Sequence, residues 1–307
     1  MRLRAVLRGA ATATLSALLA SGPAAPAQAG TKPRVSALVS QSAAPYQRAL
    51  VGFKRAWDGP VQTHIIEFED DALEKVRAER PELILAVGVK AAKLAQTLGG
   101  EVPVVYCMVL DPKANGVGGP NLVGVPLEIP AQVQLSELKR LLPEARKVGL
   151  VFNPSRSSAD LVAAQAAAQR LALSLVAEPA SCASQFPEAL QRLVPRSQAL
   201  WLVADPTVVT QDTFRLMLES AMANRLPLLA FNDEFVRRGA LLALTPDFEG
   251  VGVEAARLAR ELAAGKKPAE LSPAEPKWSL VVNLATAKAL GISFAAGALK
   301  GAVQVQE

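Results

Sequence analysis

The chain has few of the residues on which catalysis and metal binding commonly depend. Among 307 residues there is one histidine, His64, and only 5% of the residues are aromatic. His64 lies inside the strand-like run 63–66, where a structural role is the simplest interpretation. No serine nucleophile motif, Cys/His pair or metal-ligand spacing accompanies it. We therefore predict a protein that is not an enzyme and that binds no cofactor or metal.

Cysteine is equally scarce, with Cys107 and Cys182 as the only two. Cys107 lies in the apolar run 104–109 and suits a buried thiol, whereas Cys182 lies in a predicted loop. In an oxidising compartment the two could form a disulfide, or each could remain free. Neither cysteine lies in the N-terminal segment before a cleavage point, so we predict no lipid-attachment site.

The chain also lacks an apolar run long enough to span a bilayer, which requires about 20 residues. Its N-terminal segment has arginine at positions 2, 4 and 8, a short apolar stretch at 9–20, and then Ala27-Gln28-Ala29. This pattern predicts a cleavable signal peptide at residues 1–29, with cleavage near Ala29 and a periplasmic mature protein. The alternative is an ordinary buried N-terminal helix.

Positive charge is in only small excess once this segment is set aside. The net charge is +5 with a pI near 9.3, and residues 1–29 contribute three arginines and no acidic residue or lysine. The remaining chain therefore carries +2, without a run of lysine or arginine. That balance argues against a nucleic-acid partner.

What the sequence does contain is an alternation of short apolar runs with amphipathic stretches. The pattern predicts an α/β fold whose parallel sheets are flanked by helices. Five strands precede the proline-punctuated segment 125–130 and the others follow it, so we predict two Rossmann-like lobes. The predicted strands are 35–39, 63–68, 83–88, 102–109, 122–125, 148–152, 174–177, 200–204, 228–231, 241–244 and 279–282. The predicted helices are 45–57, 71–80, 90–98, 131–142, 158–171, 187–193, 211–224, 251–264 and a short one ending at Gly291.

Polar residues follow many of the predicted strands directly. In open α/β sheets, ligands bind at the carboxyl ends of strands, beside helix N-termini with unpaired N–H groups. The same side chains could instead cap the helices that follow, and the two roles are compatible. The candidate ligand-binding residues are Ser40, Gln41, Tyr46, Gly88, Val89, Asp111, Ser155, Arg156, Ser157, Ser158, Asp205, Asn232 and Asp247.

Two kinds of candidate leave alternatives open. Arg156 would suit an anionic group of a ligand, because its planar guanidinium pairs with a carboxylate or phosphate, but it could equally be a solvated residue on a helix. Tyr46, Phe231 and Phe248 could stack on a ring of the ligand or be packed in the core.

Several segments in the same order resemble the ABC transporter substrate-binding family that includes tryptophan- and tyrosine-type binding proteins. At four places the chain differs from the family pattern: Val89 stands where threonine is usual, Arg156 where glutamate is frequent, Ser158 where asparagine is, and Ala159 where serine is. The resemblance implies a type I periplasmic-binding architecture with an N-terminal lobe at 30–128 plus 247–268 and a C-terminal lobe at 129–246 plus 269–307. The matching segments are LILAVGVKAA at 83–92, VPVV at 102–105 with Asp111-Pro112, NLVGV at 121–125, Leu142-Pro143 with VGLVFNP at 148–154, Gly239-Ala240, Asp247, Gly252 with Ala255-Ala256, GKKP at 265–268, Val282-Asn283 and AKALG at 287–291.

The resemblance also implies a function. It indicates a periplasmic solute-binding protein, monomeric, that captures an amino acid or a similar small polar or anionic compound in the cleft between the lobes. Hinge closure would then present the loaded protein to the permease and ATPase subunits of an ABC transporter. Two alternatives remain: a sensory module that presents its ligand to a membrane receptor, and a pair of lobes that no longer binds a ligand.

Overall fold

Two β-sheets, each covered by helices on both faces, organise the part of the chain that the computed structural model describes, residues 33–98, 100 and 102–306. The side chains of residues 157–159 are not described. The predicted signal peptide at 1–29 lies outside the described residues. Across the described residues, no helix has the length and apolar character needed to cross a membrane. The predicted α/β fold class is confirmed.

The first sheet consists of five parallel strands in the order β2-β1-β3-β4-β5. Every residue of β1 and β3 is buried, which explains why these strands are unbroken apolar runs in the sequence. Neighbouring residues face opposite sides: Val39 packs with α1, whereas Leu38 packs with α2 and α3. The elements are β1 Val35–Val39, α1 Ala44–Ala56, β2 Val61–Ile65, α2 Ala72–Glu79, β3 Leu83–Val87, α3 Val89–Gln96, β4 Val104–Val109 and β5 Leu122–Pro126.

The second sheet has seven strands in the order β12-β11-β10-β9-β8-β6-β7. All its pairs are parallel except β10 with β11, which run antiparallel. The elements are α4 Ala131–Leu141, β6 Lys147–Phe152, α5 Pro154–Arg170, β7 Ser174–Pro179, α6 Phe186–Leu193, β8 Ala199–Trp201, α7 Gln211–Ala223, β9 Leu228–Ala230, α8 Asp233–Arg237, β10 Leu242–Pro246, α9 Phe248–Ala263, β11 Trp278–Asn283, α10 Leu284–Leu290 and β12 Val303–Val305.

Helix α9 follows a strand of the second sheet but packs on the first one, against α1, β4 and β5. Two glycines allow α1 and α9 to approach closely. A Cβ atom built on Gly252 would lie 1.9 Å from the carbonyl oxygen of Ala49, and one on Gly52 would lie 2.0 Å from that of Glu249. We call the first sheet with α1–α3 and α9 the first lobe, and the second sheet with the other helices the second lobe.

The chain therefore passes between the lobes three times, at 127–130, at 247 and after α9. The second and third passages run side by side, because β10 and β11 pair up to Pro246 and Trp278 and the N–H of Asp247 donates to the carbonyl of Lys277 (2.7 Å). The third passage is also tied to β5, since the N–H of Ala274 donates to the carbonyl of Gly124 (3.0 Å).

Several predicted elements differ from the observed ones in extent. Strand β2 spans Val61–Ile65 rather than 63–68, and α9 begins at Phe248 rather than at 251. Helix α5 begins four residues before the predicted start, because Pro154 occupies its first turn and the side chain of Asn153 accepts the N–H of Ser155 (2.9 Å). Helix α8 and strand β12 were not predicted; they have five and three residues.

Neither cysteine is bonded to the other. Cys107 is buried in β4 and Cys182 is exposed beyond the end of β7. Burial raises the pKa of the Cys107 thiol to about 12, so this cysteine behaves as a small apolar side chain.

His64 is buried in β2 and contacts two carboxylates. Its Nε2 lies 2.8 Å from Oε1 of Glu79, and its Nδ1 lies 3.2 Å from Oε2 of Glu69. Lys75 also contacts Glu69, with its Nζ 3.0 Å from the same oxygen. These contacts link the edge strand β2 to α2, which gives His64 a structural role in the first lobe.

The same contacts predict how the stability of the fold depends on acid. Lys75 and His64 lower the pKa of Glu69 from 4.5 to about 2. Glu69 thus stabilises the folded state above pH 4.5, and this contribution is lost as the pH falls through 2. We expect Glu69→Gln to be less stable than the wild type at pH 6 and equally stable at pH 2, measured by urea unfolding. Asp70→Asn, which alters the exposed carboxylate next to it, is the control; an undiminished difference at pH 2 would contradict the prediction.

Candidate ligand cleft

A cavity of about 440 Å³ lies where carboxyl ends of strands from the two lobes meet. One wall residue, Leu110, follows β4 of the first lobe, and the others belong to the second lobe. Most of these follow β8 or β9, or lie at the start of α7 or on α8. The full lining is Leu110, Ala204, Asp205, Pro206, Val209, Thr210, Gln211, Phe231, Glu234, Phe235 and Arg238.

Aromatic rings form the apolar part of the wall. The rings of Phe231 and Phe235 meet edge to face, with centroids 4.8 Å apart and planes at 67°. Behind them Phe214, a core residue of α7, lies 4.5 Å from Phe235. Pairs of this geometry are stabilised beyond the burial of their area, so the rings form a firm surface for an apolar group of a ligand.

Arg238 supplies a positive charge next to these rings. Its guanidinium lies over Phe214, with the central carbon 5.0 Å from the ring centroid, and its Nη1 is 3.9 Å from Oε1 of Glu234. Both contacts restrict the side chain, yet 39% of it remains exposed. A guanidinium held in this way can bind a carboxylate through two parallel hydrogen bonds.

Of the predicted residues, the cavity wall includes Asp205 and Phe231, the latter one of the aromatic residues that could stack on a ligand. Only 4% of Asp205 is exposed, and its Oδ1 accepts hydrogen bonds from the N–H (2.9 Å) and the hydroxyl (2.6 Å) of Thr207. The side-chain amide of Asn153 donates to the same hydroxyl oxygen (2.8 Å). The hydroxyl of Thr207, which donates to Asp205, thus connects the loops that follow β6 and β8. The carboxyl group of Asp205 lies at the cavity wall.

Leu110 is presented to the second lobe by an unusual turn. Met108, two positions before it, and Asp111, directly after it, have positive φ angles of 57° and 43°, although neither is glycine. The side-chain amide of Asn115 donates to the carbonyl of Leu110 (2.8 Å), and the N–H of Asp111 donates to the carboxylate of Glu128. These bonds hold Leu110 outward with 38% of it exposed.

Glu128 lies in the first passage between the lobes, close to this turn. Burial, together with the negative charges of Asp111 and Asp160, raises the pKa of its carboxyl from 4.5 to about 7. The hydrogen bond from the N–H of Asp111 lowers the pKa and is a larger influence than either charge, but burial outweighs it. The carboxyl therefore titrates near neutral pH. Nothing in its local sequence indicates this, because the neighbours come from separate elements.

Four of the predicted residues in the first lobe lie together. The hydroxyl of Ser40 accepts the N–H of Ala91 in the first turn of α3 (3.0 Å). Gly88, with a φ of 95°, precedes that helix, and a Cβ atom on it would lie 2.5 Å from Tyr46 and 2.6 Å from the Ser40 hydroxyl. Val89 begins α3 and is half-buried. This group fixes the strand-to-helix turn after β3, outside the cavity wall.

Other predicted residues lie at helix starts. Asn232 accepts the N–H of Phe235 (3.2 Å) and caps α8, while Asp247 precedes α9 without capping it through its side chain. Asp111 accepts the N–H of Ala114 (2.9 Å) in its own turn. These three residues are not part of the cavity wall.

The remaining predicted residues follow β1 or lie in the first turns of α5. Gln41 is exposed after β1, and Ser155 and Arg156 are exposed in the first turn of α5. For Ser157 and Ser158 the structure describes the helical backbone only. Gln41, Ser155 and Arg156 are not part of the cavity wall, and contact of any of these five residues with a ligand stays a prediction. In the part of the chain that the structure describes, no cluster of histidine, cysteine, aspartate and glutamate is arranged to hold a metal ion.

Comparisons with known proteins were made for both sequence and structure. The family model described as ABC transporter substrate binding protein matches residues 69–306. A tyrosine-binding protein of Clostridioides difficile is 25% identical over 225 residues, which are 70% of this chain. The match covers 65% of that relative, so less than two thirds of its length is represented.

Two solved structures share the fold. The ligand-free, open form of a substrate-binding protein with adhesive properties from Clostridium difficile superposes with a TM-score of 0.74 at 18% identity, covering 89% of this chain and 99% of the other. An ABC domain from Streptococcus pneumonia in complex with L-Trp gives a TM-score of 0.60 at 20% identity, covering 90% and 100%. With its two helix-covered sheets in the type I periplasmic-binding architecture and a family match over most of its length, the chain belongs to the ABC transporter substrate-binding protein family.

Proposed function

We propose that the protein captures an amino acid with an apolar or aromatic side chain in the cleft and delivers it to an ABC transporter. The observation that carries this proposal is the composition of the cavity wall, in which Arg238 lies beside the Phe231 and Phe235 rings at a point where both lobes contribute residues. The volume of about 440 Å³ lies within the usual range of small-molecule sites, roughly 300–1,000 Å³.

Each part of such a ligand has a partner in the wall. The rings of Phe231 and Phe235 suit the apolar side chain, and Arg238 suits the α-carboxylate. Asp205 and Glu234 supply carboxylate oxygens for the α-ammonium group. The names of two relatives, the tyrosine-binding protein and the complex with L-Trp, support the choice of aromatic amino acids as the first compounds to test.

We propose that binding closes the lobes by a hinge motion. Leu110 of the first lobe lines a cavity formed otherwise by the second lobe, so a ligand there would contact both and would favour their approach. The three passages between the lobes are the expected hinge. This assignment divides the chain into 30–128 plus 247–268 and 129–246 plus 269–307, after removal of residues 1–29.

The remaining parts of the proposal concern the setting of the protein. The mature protein would act as a monomer in the periplasm, with the permease and ATPase subunits of a transporter as partners. It would not bind nucleic acid and would have no catalytic activity or cofactor. Support for this comes from the family match and from the small net charge of the chain after residue 29.

The test is a thermal-shift screen followed by calorimetry with L-tyrosine, L-tryptophan and L-phenylalanine. A ligand that binds only the folded state stabilises it by about 2.7 kcal/mol at a hundredfold excess over Kd, so a clear rise in Tm is expected. Tyramine, which lacks the carboxylate, and 4-hydroxyphenylpropionate, which lacks the ammonium group, serve as matched controls and should bind much more weakly. A rise with sugars or nucleosides, but not with amino acids, would refute this ligand class.

A further inference from the structure

The first passage between the lobes, residues 127–130, is joined directly to the turn that carries Leu110. The N–H of Leu127 donates to the carbonyl of Val109 (2.9 Å), and the carboxylate of Glu128 accepts the N–H of Asp111. Glu128 is half-buried in this position. Its side chain therefore lies between a hinge segment and the residue through which the first lobe reaches the cavity.

Carboxylates from both lobes surround this position. Asp111 belongs to the first lobe, whereas Asp160 lies on α5 of the second lobe, and each raises the pKa of Glu128 by its negative charge. Asp111 and Asp160 also interact with one another, and Lys113 partly offsets that interaction. Tyr106 on β4 is also near enough to interact with Glu128: burial and, to a lesser degree, the charge of Glu128 raise the pKa of its phenol.

The charge on Glu128 consequently affects how close the lobes can lie. A neutral carboxyl is compatible with partial burial between Asp111 and Asp160. An ionised carboxyl adds a third negative charge to the same place and is partly dehydrated there. Both effects are unfavourable unless the lobes move apart and water reaches the carboxylate. Because the carboxyl titrates near pH 7, both forms are populated around neutrality.

We propose that Glu128 is a positioning residue for the ligand cleft: its neutral form allows the first lobe at Asp111 and the second lobe at Asp160 to approach, and its ionised form favours their separation. This rests on the proposed function, because it requires a cleft that closes over a ligand. Ligand is then held more tightly at mildly acidic than at mildly alkaline pH.

The first experiment measures the affinity for L-tyrosine and L-tryptophan by calorimetry between pH 5.5 and 8.5. The wild type is expected to lose about tenfold in affinity over this range. This loss corresponds to a difference of about one unit between the pKa values of Glu128 in the open and closed states. Glu128→Gln, which resembles the neutral form, should keep the acidic-pH affinity throughout. Glu144→Gln alters an exposed glutamate of the second lobe and should follow the wild type.

The pH profile distinguishes this role from a purely structural one. A structural role would lower the affinity of Glu128→Gln by the same factor at every pH. That result would overturn the proposal, and so would a wild-type affinity independent of pH.

A second experiment needs no ligand and decides the case in which neither amino acid binds. Such a result would refute the proposed ligand class but not the role of Glu128. Spin labels are attached to Lys93→Cys on α3 and Glu219→Cys on α7 in a Cys182→Ser background, and the distance between them is measured at pH 6 and pH 8. We expect a longer distance at pH 8, and no change when Glu128→Gln is added. An equal response with and without Glu128→Gln would overturn the proposal.

Discussion

Replacing Gly252 by alanine is expected to destabilise the protein by about 2 kcal/mol, because overpacking outweighs the improved helix propensity. Alanine favours a helix interior by about 1 kcal/mol over glycine. The added Cβ would, however, lie 1.9 Å from the carbonyl oxygen of Ala49 and 2.7 Å from the backbone nitrogen of Phe53. Both contacts are with backbone atoms of α1, so relief requires the whole helix to shift.

Such a shift would disturb the core between α1, α9 and the first sheet, where Phe53 and Ala255 are fully buried. The measurement is the midpoint of urea unfolding, which should fall for Gly252→Ala and for Gly52→Ala. Gly118→Ala is the matched control, because a Cβ on Gly118 meets no heavy atom within 4 Å. If Gly252→Ala and Gly118→Ala are equally stable, the close approach of α1 and α9 is wrong.

The second large effect is expected in ligand binding. Arg238→Ala should weaken the binding of an aromatic amino acid about 30-fold, equivalent to roughly 2 kcal/mol for a lost charge-assisted hydrogen-bond pair. The reason is that Arg238 is the cationic side chain in the cavity wall, held over Phe214 and beside Glu234. Calorimetry with L-tyrosine or L-tryptophan measures the loss.

Arg237 offers a closely matched control for this prediction. It is the last residue of α8, directly before Arg238, and makes an equivalent contact one position earlier, with Asp233 (3.6 Å), but it does not line the cavity. Arg237→Ala should therefore bind nearly as well as the wild type. Arg238→Lys keeps the charge without the planar fork and is expected to recover only part of the affinity. If Arg237→Ala and Arg238→Ala lose the same binding affinity, the carboxylate of the ligand does not bind at Arg238.

Much of the fold could be predicted from the sequence because buried parallel strands leave a clear signal. Strand β1 was predicted with its observed bounds, Val35–Val39, since all five residues are apolar or small and lie inside the sheet. The signal is weak where elements are short or half-exposed. Strand β12 has three residues, of which only Val305 is buried, and β2 has a single buried residue, His64.

The cavity was less predictable, for physical reasons that differ from residue to residue. Asp205 was found because it follows a strand, and Phe231 was recognised as an aromatic residue able to stack on a ring. Phe235 and Arg238 lie on or just after α8, which is too short to show helical periodicity. Leu110 depends on two positive φ angles, at Met108 and Asp111. Aspartate is among the residue types that adopt such angles more often, but methionine gives no such signal.

The placement of α9 also affects the order in which the polypeptide can acquire its structure during biosynthesis. The strands of the first lobe are complete at Pro126, but the helix that covers them begins at Phe248, after the whole of residues 127–247. A chain that emerges from the ribosome N-terminus first therefore exposes the apolar faces of α1 and β4 while those residues are made. The second lobe in turn lacks β11 until residue 283 has been made. Both lobes therefore become complete only late in synthesis. A nascent chain stalled before residue 248 should be a strong substrate for chaperones.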